Sequence, residues 1–203
     1  MITRAFAFFT TCTLAACGGQ PFDFDEAAAP FGPISSDEAA VLSASFDKMA
    51  SDILAIAPTA PGGMDDSGRA TFTGRAELVA TAEAGGASMT LIGDASVIAN
   101  FETLAVTANM NNFAGVDMDG LGQRLDGALI MDNGTIGGTS ANGLAGNFRG
   151  TLVAFDYEIV ADGIIEGTFR DTPVTAVSFT GLDDTALVDG ERASLRLSGV
   201  AEE

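Results

Sequence analysis

Two different spacings of apolar residues divide this chain. Leu42, Phe46, Met49, Ile53 and Ile56 recur at steps of four, three, four and three, which places them along one face of a helix. Ser35 stands three residues ahead of Glu38 as in a capping box, and Pro58 stops the run. The spacing predicts one amphipathic helix over residues 36–57. Its stripe is only two heptads long, so it reads as a face packed on a domain core, with a partner-binding helix as the alternative.

Beyond the Pro58-Thr59-Ala60-Pro61-Gly62-Gly63 hinge the period falls to two. Phe72, Gly74, Ala76 and Leu78 share one face, and Thr71, Thr73, Arg75 and Glu77 the other. The same alternation returns at Gly146 to Leu152, at Ile165 to Phe169 and at Leu195 to Leu197. Turn signals separate the runs: Ala84-Gly85-Gly86, Asp119-Gly120, Asp132-Asn133-Gly134, Asn142-Gly143, Asp162-Gly163 and Asp189-Gly190. Short, evenly spaced strands with no helix between them predict a mainly β fold. The expected form is a single antiparallel up-and-down β-barrel of about eight strands over residues 68–203. Alternation alone does not say which face points inward. Glycine-rich apolar faces opposed by charged ones favour a soluble barrel over a membrane-spanning one. A Phe-x-Gly step recurs at 72–74, 148–150 and 179–181. Residues i and i+2 share a face, so each ring is expected to have a glycine beside it on its own strand.

The first residues carry an address. Arg4, the short apolar run Ala5-Phe6-Ala7-Phe8-Phe9 and small residues before Cys17 make a secretory signal over residues 1–16. Leu14-Ala15-Ala16-Cys17 resembles a bacterial lipobox, in which the Cys is acylated and becomes the first residue. After cleavage Cys17 is the sole cysteine, which suits lipidation better than a free thiol in an oxidising envelope. Gly18 follows it, as in outer-membrane lipoproteins; whether the protein faces the periplasm or the cell surface stays open. Residues 17–35 hold Gly18, Gly19, Pro21, Pro30 and Pro33 and read as a tether.

Composition narrows the chemistry. The 203 residues carry a net charge of −19, with no His and no Trp. Such a chain repels nucleic acid. Without His there is no Ser-His-Asp or Cys-His catalysis and no His-ligated metal. Asp117-Met118-Asp119-Gly120 lacks the further ligands of a calcium loop, and with Asp183-Asp184 it reads as a solvated turn. We therefore expect no enzyme, no cofactor and no metal.

Gly146-Asn147-Phe148-Arg149-Gly150, and the strand Ala95 to Asn100 running into Phe101, resemble the Gly-x-Phe-x-Gly barrels of Gram-negative surface lipoproteins related to transferrin-binding protein B. The resemblance covers about residues 68 to 203. It implies an envelope lipoprotein whose eight-stranded barrel presents a binding surface. The chain has one barrel and lacks the second lobe, so transferrin binding is not implied.

The expected function is a non-enzymatic binding module at the outer membrane, lipid-anchored through Cys17, for a protein or small-ligand partner. The alternatives are an assembly factor acting through the 36–57 helix and a lipocalin-like carrier. Asn111-Asn112-Phe113 and Gly120-Leu121-Gly122 read as loops, and Asn112, Phe113 and Leu121 are the candidate contact residues. The competing reading is that Phe113 and Leu121 plug the barrel end.

Overall fold

The computed structural model describes residues 32–83, 87–137 and 140–203. The signal, Cys17 and residues 17–31 of the expected tether lie outside them.

Helix α1 spans Ser36–Ala55. The Ser35 hydroxyl accepts the Glu38 amide at 3.1 Å. Only this half of the capping box forms, because the Glu38 carboxylate turns away to pair with Arg124. At the other end the helix has no basic residue in its last turn. Arg170 supplies one from the barrel, donating to the Ile56 carbonyl at 2.7 Å, where a cation meets the negative end of the helix dipole. Phe46 and Ile53 are buried against Ile92, Ala176 and Val200 on the outside of the barrel, with Leu42, Met49 and Ile56 half-buried beside them. The stripe is thus spent on intramolecular packing.

The barrel strands are β1 (Arg69–Ala82), β2 (Ser88–Asn100), β3 (Ala105–Val116), the short β4 (Gly122–Arg124), β5 (Asp126–Ile136), β6 (Gly143–Val153), β7 (Glu158–Arg170), β8 (Ala176–Val188) and β9 (Glu191–Glu202). All neighbours are antiparallel, in the order β2-β1-β9-β8-β7-β6-β5-β3, and a β2–β3 pairing closes the ring. Eight strands form the up-and-down barrel; β4 adds a three-residue pairing to the end of β3. The Pro33 bridge to Gln123 and the Ile34 amide on the Gly122 carbonyl fasten residues 33–34 to β4.

The apolar faces point inward. Phe72, Phe113, Phe148, Phe169, Leu78, Leu91, Met110, Leu129 and Met131 are at most 1% exposed and fill a lumen of the size that eight strands enclose. At one pole Phe169 stacks against Phe72 and Phe101, with ring centroids 6.0 and 5.8 Å apart. Residues 57–64 lie across this pole: Thr59 is buried, its amide donating to the Phe169 carbonyl and its hydroxyl to that of Asp171.

Phe72 lies opposite Val97 and has no glycine across from it; for Phe148 and Phe179 the glycine against the ring comes from a neighbouring strand. Phe148 lies opposite Gly163 on β7, and its ring also covers Gly181 on β8; a Cβ at either glycine would approach the ring within 2.7 and 2.8 Å. Phe179 lies opposite Gly199 on β9. Across a strand pair the next residue on the same face is about 5 Å away, closer than position i+2 on the same strand. The ring therefore reaches sideways.

Candidate functional site

The pole opposite the Phe169 cluster gathers the turns after β3, β6 and β8, since Val116, Val153 and Val188 end their strands there. Asp117 organises the first turn. Its Oδ1 accepts the amides of Asp119 at 2.9 Å and Leu121 at 2.8 Å, and its Oδ2 accepts the Gln123 amide group at 3.3 Å. Asp117 is buried, so it is not a solvated carboxylate of this turn: its Oδ1 serves two backbone amides and its Oδ2 the Gln123 side chain. Asp183 is a second buried carboxylate, accepting the amides of Asp162 and Thr185 at 2.8 Å each. It anchors the irregular stretch of β8 between Asp183 and Ala186. Among the described residues no three acidic or Cys side chains converge on a metal-sized space.

Leu121, held by this turn, is 58% exposed. Phe113 is not exposed at all: its side chain is fully buried in the barrel, so it is a core residue and not a contact residue. The expected loop at Asn111-Asn112-Phe113 is part of β3. Asn112 adopts φ +54° and forms a bulge in which Asn112 and Phe113 together oppose Gly93. Its side chain donates to Asp94 at 2.9 Å, and Asp94 also accepts Arg75 at 2.7 Å. Asn112 thus belongs to a polar link across three strands on the barrel wall.

One exposed residue at this pole is absent from the sequence-derived candidates. Phe155, in the β6–β7 turn, is 93% exposed. Its signal is parity: Phe148, Leu152 and Ala154 face inward, so Phe155 falls on the wet side. Beside it Tyr157 packs against the core with its hydroxyl buried and without a hydrogen-bond partner. Burial, followed by the Asp117 and Asp156 carboxylates, drives this phenol well above its ordinary range. Asp119, Asp126, Asp156, Glu158, Asp189 and Glu191 ring the pole. Among the described residues there, the basic ones are Arg192 and Arg124, the latter paired with Glu38.

No protein-family model matches the chain, and no curated protein matches it. Among solved structures it is similar to transferrin binding protein B of Haemophilus parasuis Hp5, described as a vaccine antigen, in a double-mutant form. Identity is 12% and TM-score 0.47, over 71% of this chain and 27% of that one. A structure of intact Ap-TbpB with N and C lobes gives 12%, 0.46, 71% and 28%. The chain thus spans less than a third of either protein. Likeness at this level bears on neither ligand nor partner.

Proposed function

We propose that this chain is an envelope lipoprotein whose barrel serves as a rigid pedestal for a protein-binding pole. The observation that carries this reading is the pair of exposed apolar side chains on neighbouring turns, Phe155 and Leu121, within a ring of carboxylates. Exposed apolar groups rimmed by polar ones mark interaction sites, and aromatic residues are enriched at interface centres. The acidic rim selects a partner with a basic surface and steers its approach. The Asp117 hydrogen bonds hold the Leu121 turn in place before binding, which lowers the entropy cost of recognition. A carrier function is less well supported, because side chains fill the lumen. An assembly role through the apolar stripe of α1 would require the helix to leave the barrel, because Phe46 and Ile53 are buried against it.

A photo-reactive residue placed at 155 or 121 in cells should give one discrete cross-linked species. The same group at Thr103, on the β2–β3 turn of the opposite pole, should give none. Phe155→Ser with Leu121→Ser should abolish capture of that species without changing the melting temperature. Equal labelling from both poles would rule out a binding pole. The anchor is tested separately. Cys17→Ser should release the protein from the membrane fraction or leave it unprocessed; unchanged fractionation and mass would rule the anchor out.

A further inference from the structure

A cleft of about 440 Å³ runs along α1, between the helix and the outer wall formed by β7, β8 and β9. It is separate from the pole described above. Register fixes its floor. Glu77 on β1 is opposite Ser198 on β9, Ser198 is opposite Thr180 on β8, and Thr180 is opposite Glu166 on β7. These four residues form one row across four strands, all lining the cleft: a carboxylate at each end and two hydroxyls between. Three strand spacings separate the carboxylate-bearing backbones by roughly 14 Å. Phe46, Ala50 and Leu54 of α1 form an apolar wall over the row.

The cleft's cation is already engaged. Arg170 lies four residues along β7 from Glu166, about 13 Å away along the strand, and donates to the Ile56 carbonyl and to Ser178. Glu77 is half-buried, and burial together with the Asp47 carboxylate raises it above the usual range. The partners of Arg170 are neutral, so it keeps its charge, but it is held at the Ile56 end of the cleft; the row itself carries only the two separated carboxylates.

We propose that this cleft binds a linear diamine or polyamine, one ammonium on Glu77 and one on Glu166, with its methylene spacer over Ser198 and Thr180 and beneath Leu54. Two terminal ammonium groups satisfy both carboxylates at once. The spacer meets the apolar wall, and interior amines of a longer chain can donate to the hydroxyls. An anion is repelled, a monoamine satisfies only one end, and a neutral diol satisfies neither.

Calorimetric titration of the full chain with linear diamines of three to eight methylenes tests this, with hexylamine and hexanediol as controls. Affinity should pass through a maximum with spacer length. The best diamine should bind about tenfold or more tightly than hexylamine, because its second contact is intramolecular. Glu77→Gln or Glu166→Gln should each reduce binding to the hexylamine level at unchanged melting temperature. Glu102→Gln, on the β2–β3 turn, should have no effect. Affinity that rises only with ligand charge, or falls equally with Glu102→Gln, would show diffuse attraction to an acidic protein and overturn the site. Absence of binding tighter than hexylamine would do the same.

Discussion

Phe148→Ala will destabilise the fold by about 3–5 kcal/mol, read from a thermal or urea unfolding curve. The ring is fully buried in the lumen and rests on Gly163 and Gly181. Neither glycine has a side chain that can move into the vacated space. The surrounding walls are strands hydrogen-bonded on both sides, which resist collapse. The loss is therefore expected in the upper half of that range. Phe169→Ala belongs in the lower half, since the rings of Phe72 and Phe101 flank it and can lean inward. A loss below about 1 kcal/mol at Phe148 would contradict the inward assignment of these faces.

Gly199→Ala tests the same pairing from the other side. An added Cβ would overlap the Phe179 ring directly across the strand pair. Phe179 is itself buried, so the ring has no free direction in which to swing. Overpacking of this kind costs about 1–3 kcal/mol. Combining it with Phe179→Leu should restore part of the loss, giving a coupling of at least about 0.5 kcal/mol in a double-mutant cycle. A neutral Gly199→Ala would mean that the ring has spare room and that the cross-strand glycine is incidental.

The elements written in periodic patterns were legible in the sequence. The 3.6 stripe from Leu42 to Ile56 and the Ser35 cap located α1, and the period-2 faces located the strands. What alternation could not supply was the sense of the faces. Inward and outward have the same period, and the packing of Phe72, Phe148 and Phe169 within the barrel distinguishes them. The misreading of Phe113 has a local cause. Asn112 in a left-handed conformation inserts an extra residue, so Met110 and Phe113 both reach the core three positions apart. A bulge breaks the period and looks like a loop when it is written with two asparagines. The burial of Asp117 and Asp183 was hidden for a related reason: each carboxylate is satisfied by amides from bulged or turning backbone, which a side-chain pattern does not record. At the pole, Leu121 was found as an apolar residue between glycines. Phe155 was missed although its parity relative to Leu152 marks it as outward. The Glu77–Ser198–Thr180–Glu166 row could not be read at all, because it requires the register of three strand pairs at once.

The pairing of β1 with β9 has a consequence for biosynthesis. Thr73 meets Glu202 and Ala82 meets Ala193, so the first and last strands of the ring must find each other across the whole barrel sequence. Pairings this distant in sequence form slowly, and this one cannot begin until the ribosome has made β9. Throughout translation the nascent barrel is an unclosed ribbon without its final strand. On the envelope address proposed above, such a delay keeps the polypeptide threadable during export and leaves closure to the far side of the membrane.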